Sequence, residues 1–189
     1  MLRVIILFLL IDISFCQSKW IKTYGADELD GANHLLVLDD GYLITGFTSS
    51  FGNGGKDLWI IKTDKDKKKV WDRFYGGMYM ETGLKSILTK DNGFIVLAQT
   101  HSYGSGSGDI WVVKLDSLGN IIWDKTYGNE NLDIASDIST SNENGFIITG
   151  TTVSKKTNSI DGYVMKIDTI GNVIWSQIYG GLDLSLIHI

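Results

Sequence analysis

Six carboxylates recur on a fixed period. Asp30, Glu81 and Asp133 form one series, and Asp57, Asp109 and Asp161 form the other. Recurrent acids suit either calcium held in loops or turns whose backbone N–H groups are capped by a side chain. A calcium loop sets oxygen ligands at closely alternating positions. The nearest approach to that pattern, Asp64-Lys65-Asp66, runs directly into Lys67, Lys68 and Lys69. Turn capping is therefore the expected role, and no metal ligand is assigned. His34, His101 and His188 share no spacing, so a histidine metal site would need an unforeseen convergence of segments. Ser105 and Ser107 stand among glycines with no strand-to-helix elbow around them. Gly54-Gly55-Lys56-Asp57 is not a phosphate loop, because no Ser or Thr follows the lysine and a strand follows instead of a helix. No catalytic, cofactor-binding or metal-binding residue is assigned, no cofactor is expected, and a non-enzyme is favoured.

The elements that carry these residues repeat. Trp20, Trp71, Trp123 and Trp175 lie 51, 52 and 52 residues apart, opening WIKTYG, WDRFYG, WDKTYG and WSQIYG. Gly41-Tyr42, Gly93-Phe94 and Gly145-Phe146 keep the same register, as do Lys62, Lys114 and Lys166. The unit closes with DSLGNIIW (116–123) and DTIGNVIW (168–175), whereas the first copy, DKDKKKVW (64–71), puts Lys67 where the others have Gly119 and Gly171. Each unit holds four short runs rich in β-branched and aromatic residues, bounded by Gly, Asn and Asp, which predicts four strands. No helical periodicity is found. In LWIIKT (58–63) both strand faces are apolar, so this strand must lie between two layers. Such a unit, repeated in tandem, predicts an all-β chain of β-propeller blades, four-stranded antiparallel units of about 52 residues. The blades are expected at about 26–76, 77–128 and 129–181, preceded by a closing strand at 19–25. Trp59, Trp111 and Tyr163 suit a sugar platform in isolation, but their recurrence at strand positions points to core. The loops FGNGGKD (51–57) and SYGSGSGD (102–109), with Phe51 and Tyr103, are the expected places for ligand contact.

The pattern W…YGG…DGGY…D.W..K.D..GN..W, over residues 20–181, resembles the tandem propeller repeat of secreted proteins of the Bacteroidetes type. The resemblance implies the fold and leaves the activity open. DSLGNIIW is also similar to the blade ends of quinoprotein dehydrogenases, where the similarity implies a tryptophan docked between blades.

Residues 1–16 read as a signal peptide: Arg3, then the apolar run VIILFLLI (4–11), then Ser14-Phe15-Cys16 before a cleavage point at Gln17 or as late as residue 18. The run is too short to span a bilayer. The expected location is secreted or cell-surface, in a Gram-negative bacterium. Lipid anchoring through Cys16, the sole cysteine, is disfavoured by Phe15. The net charge of −5 disfavours nucleic acid as a partner. The tail 182–189 breaks register, and LSLIHI (184–189) resembles a translated sequencing adapter. The expected parent protein carries further blades, and open blade faces are expected to self-associate. The expected function is an exported, non-catalytic binding or scaffolding module that meets a protein or glycan through its blade loops. The alternative is part of a propeller enzyme, a quinoprotein-like oxidoreductase or a glycan-active enzyme, with its active site outside this stretch. A long read of the source DNA past codon 183 is expected to continue with further Trp…Tyr-Gly-Gly units; a stop after Ile189 would refute the truncation.

Overall fold

A computed structural model describes residues 21–154 and 159–180; the signal segment, Trp20 and the out-of-register tail lie outside them. Twelve strands follow in order: β1 (Asp30–Leu38), β2 (Gly41–Thr48), β3 (Asp57–Asp64), β4 (Lys69–Tyr75), β5 (Glu81–Leu88), β6 (Phe94–Thr100), β7 (Asp109–Leu115), β8 (Ile121–Tyr127), β9 (Asp133–Thr140), β10 (Phe146–Val153), β11 (Ile160–Ile167) and β12 (Val173–Tyr179). There is no helix among the described residues. The strands form three four-stranded antiparallel sheets in sequential order, β1–β4, β5–β8 and β9–β12. These are the three blades, stacked as an open arc and not a closed ring.

Alternation along the central strands explains the stacking. Leu43, Leu58 and Ile60 of the first blade pack against Phe94, Val96, Ala98, Trp111, Val113 and Leu115 of the second. The intervening residues of the second blade, Ile95, Leu97, Ile110 and Val112, enter the next core with Ala135, Ile138, Phe146, Ile148, Met165 and Ile167. A single sheet thus feeds two cores, as the two-sided apolar pattern requires. Trp59 and Trp111 are buried, at 5% and 2% exposure, which settles them as core. Trp71 and Trp123 pack against the two junction cores, while Trp175 on the last blade stays 42% exposed.

A second interaction ties each blade to the next. The hydroxyl of Tyr127 donates to the carbonyl of Gly171 at 2.7 Å, and that of Tyr75 donates to the carbonyl of Gly119. Tyr24 donates in the same way to Lys67, at 2.7 Å. Residues 21–25, the described part of the expected closing strand, are not assigned to a strand, yet Tyr24 occupies its repeat position. The acceptor turns need a left-handed residue: Gly119 has φ 81°, Gly171 φ 80°, and Lys67 adopts φ 61° in the degenerate first copy. Glycine is also required by contact, since a Cβ at Gly119 would lie 2.9 Å from Arg73 and 3.1 Å from Trp71 of the preceding blade. Trp111→Ala is expected to cost about 3–5 kcal/mol in urea unfolding, and Tyr127→Phe about 1 kcal/mol. A cost under about 1 kcal/mol for Trp111→Ala would overturn its place in the core.

Candidate binding face at the loop end of the blades

The β2–β3 type loops and the connections between blades lie at one end of the sheets, because both join the same ends of antiparallel strands. The two carboxylate series hold this end together. In the first series, Asp30 accepts from the N–H of Ala26 at 2.9 Å, Glu81 from Gly77 at 2.7 Å and Asp133 from Asn129 at 2.7 Å, each four residues upstream. Glu81 also accepts from the Thr100 hydroxyl and the Ser102 N–H. In the second series, Asp57 accepts from the N–H of Asn53 and Asp109 from that of Gly106, both at 3.0 Å. These are the turn-capping bonds expected from the recurrence of acids.

The sequence did not reveal that the two series meet. A Cβ at Gly76 would lie 2.2 Å from Asp57 Oδ1 and 2.5 Å from Glu81 Oε2. At Gly128 the corresponding distances are 2.4 Å to Asp109 Oδ1 and 2.6 Å to Asp133 Oδ2. Gly76 and Gly128 are therefore each wedged between two buried carboxylates from adjoining blades. Burial pushes the Asp57 and Asp109 carboxyls up, and repulsion from Glu81 and Asp133 adds to the rise; N–H bonds from Asn53 and Gly106 pull against it. The joint period of the acids and of Tyr-Gly was the available signal.

The opposite end is built differently. There Lys62 pairs with Asp40 at 2.6 Å, Lys114 with Asp91 at 2.9 Å and Lys166 with Glu143 at 2.6 Å. The Thr89 hydroxyl and Lys114 hold Asp91 down to about 2. Among the described residues no Lys or Arg pairs with Asp30, Asp57, Glu81, Asp109 or Asp133.

The inter-blade connections form a repeated clamp. The carbonyls of Leu29, Met80 and Leu132 accept from the N–H groups of Ser49, His101 and Val153 at 2.9–3.0 Å. The carbonyls of Tyr79 and Asn131 accept from Gly55 and Ser107, and the N–H groups of Glu81 and Asp133 donate to Lys56 and Gly108. The held backbone displays three side chains per unit: Asp27-Glu28-Leu29, Met78-Tyr79-Met80 and Glu130-Asn131-Leu132. In the middle triplet Met78 is 82% exposed and Tyr79 64%. Of the two expected contact loops, Phe51 stacks on Phe74 at 5.6 Å between centroids, and Tyr103 packs on Trp111 while its hydroxyl donates to the Gly76 carbonyl at 2.8 Å.

The histidines stay apart. His101 Nδ1 lies 2.6 Å from the Ser107 carbonyl in its own loop. His34 Nδ1 accepts from the Ser86 N–H at 3.3 Å, and burial, with Lys85 nearby, lowers its pKa against an opposing effect of Asp137. His188 lies outside the described residues, which contain no group of three metal-binding side chains. His34, Lys85 and Asp137 occupy matching positions of β1, β5 and β9, the first strands of the three blades, and Lys85 bonds Asp137 at 2.6 Å. Charged positions that differ between blades thus occur on these strands as well as in loops. One extra residue in each, Asn33, Leu84 and Ser136, forms the bulge just before them. No protein-family model matches the chain, and no curated protein matches it.

Asp57 gives a pH test with a definite sign. Its folded pKa is raised, so its contribution to stability is fully present below the unfolded value and is lost as pH rises through the folded value. Asp57→Asn removes that loss. The stability of the variant relative to the parent, from urea unfolding at pH 3 and pH 7, is expected to increase with pH; a decrease would contradict the buried pair.

Proposed function

We propose that the chain is part of an exported β-propeller protein and serves as a non-catalytic binding or scaffolding module, meeting a protein or glycan through the loop end of its blades. The supporting observation is the Met78-Tyr79-Met80 triplet: large apolar side chains exposed on a backbone held by loops of two blades. Exposed apolar residues grouped in this way mark interaction surfaces. At the same positions the other units carry mostly polar residues, so the fold itself does not require the apolar ones. The Bacteroidetes-type repeat pattern and the leader at 1–16 support placement outside the cell or on its surface.

The second reading, part of a propeller enzyme, has one observation in its favour: His34, Lys85 and Asp137 differ between blades at one strand position. Their bonds to Ser86 and to each other also account for them as links between blades.

Replacing Met78, Tyr79 and Met80 together by serine is expected to leave the thermal midpoint of the full chain within about 2 °C of the parent, since surface changes of this kind alter stability by roughly 0.5 kcal/mol or less. A fall of about 8 °C or more would show that the triplet serves stability, and would defeat the display reading.

A further inference from the structure

Beside this triplet the junction of the first two blades opens into a cleft. Its lining includes Asp57, Phe74, Gly76, Tyr103, Ile121 and Asp124. Phe74, Tyr103 and Ile121 are each about 40% exposed and give the cleft an apolar, aromatic wall. Asp57 supplies a buried carboxylate: Oδ2 accepts from Asn53, and Oδ1 has no hydrogen-bond donor among the described residues. Asp124 is held at the cleft by the Trp111 indole N–H, which donates to its Oδ2 at 2.9 Å. Neither acid is paired with a Lys or Arg among the described residues. The nearby cations have other engagements. Lys56 lies over the Phe47 ring at 4.2 Å, and Arg73 lies over Trp71 while donating to the Asp72 carbonyl.

The internal repeat shows which of these features the fold needs. In the second junction Thr126 stands at the position of Phe74 and Ser176 at that of Asp124. Among the described residues neither the aromatic ring nor the second carboxylate has a counterpart there, yet the blades stack in the same way. Stacking therefore does not require an aromatic residue at the Phe74 position or an acid at the Asp124 position. Carboxylates lined by aromatic faces suit a cation, through charge and through the negative ring faces. The cleft lies next to exposed Met78 and Tyr79, and Asp27 and Glu28 add exposed acidic surface at the same end.

We propose that this junction docks a basic, apolar protein segment. A Lys or Arg side chain enters between Phe74 and Tyr103 toward Asp57 and Asp124, and a neighbouring apolar residue rests on Met78-Tyr79-Met80. This rests on the binding-module reading and names its partner class. A bound cation would also offset the burial and the Glu81 repulsion acting on Asp57.

The test is fluorescence anisotropy with the full chain and three labelled hexapeptides: alternating Arg and Leu, alternating Arg and Ser, and alternating Glu and Leu. The Arg–Leu peptide is expected to bind most tightly and to weaken with added salt. Asp124→Asn keeps an acceptor for the Trp111 N–H, and Phe74→Thr installs the residue that the second junction carries. Each is expected to weaken Arg–Leu binding about tenfold, the size of effect that loss of one charged or aromatic contact produces. Undiminished binding in both variants would place the peptide on the open sheet faces and overturn the proposal. So would equal binding of the Glu–Leu peptide, or no binding of any peptide. If none binds while the serine triple variant keeps its thermal midpoint, the partner class falls and the binding-module reading stands.

Discussion

A sheet that is apolar on both faces has to be covered twice, and the rest of the structure depends on meeting that constraint. Leu58 and Ile60 face one way from β3, Trp59 and Ile61 the other, and all four are buried. The second blade covers Leu58 and Ile60, while Trp59 and Ile61 are buried on the face turned away from it. Stacking lets each interior sheet serve two cores at once, as β6 and β7 do by alternation. The remaining repeat features maintain that approach. The tyrosine hydroxyls bridge from one blade to a turn of the next, and the turn residue accepts the bond in a left-handed conformation that leaves room for the preceding tryptophan. Lys67 shows that conformation is the stricter demand. The first copy loses its glycine but retains the positive φ and the carbonyl acceptor.

The same stacking gives the ends of the arc unlike electrostatics. At the hairpin end, each lysine of the Lys62, Lys114 and Lys166 series meets an acid of the β1–β2 type turn. At the loop end, acids from neighbouring blades converge on a glycine and accept from N–H and O–H groups, with no paired cation among the described residues. Neutral donors stabilise a buried carboxylate without cancelling its charge, so the field of these acids extends outward. Ion pairs close one end upon itself, while the described part of the other end presents buried acids with no paired cation.

Strand positions, turns and core were legible in the sequence because they follow from short-range rules. Alternation in LWIIKT gave the two-sided burial, and Gly119-Asn120 and Gly171-Asn172 marked the tight turns. The acids were legible as caps for the same reason, since the cap and its N–H lie three or four residues apart. What stayed hidden depends on contacts across blades. Nothing in the local pattern places Asp57 against Glu81, 24 positions later in the chain. The bulges at Asn33, Leu84 and Ser136 were also hidden, because one extra residue in a strand leaves the 52-residue period unchanged.

A repeat carries its own control for separating packing from use. Where all units share a residue, stacking accounts for it. Where one unit departs from the others and the sheets still stack alike, packing gives no reason for the departure. Phe74 against Thr126 and Met78-Tyr79 against Glu130-Asn131 are departures of the second kind, and both lie at the first junction, where Asp124, whose counterpart in the first blade is Asp72, lines the cleft. They adjoin the buried carboxylate of Asp57, whose Oδ1 has no donor among the described residues. His34, Lys85 and Asp137 also differ between blades, but they bond across the junctions, so stacking alone accounts for them. Phe74 stacks on Phe51 and Asp124 accepts from Trp111 within their own blades, so contact across the junction does not account for them.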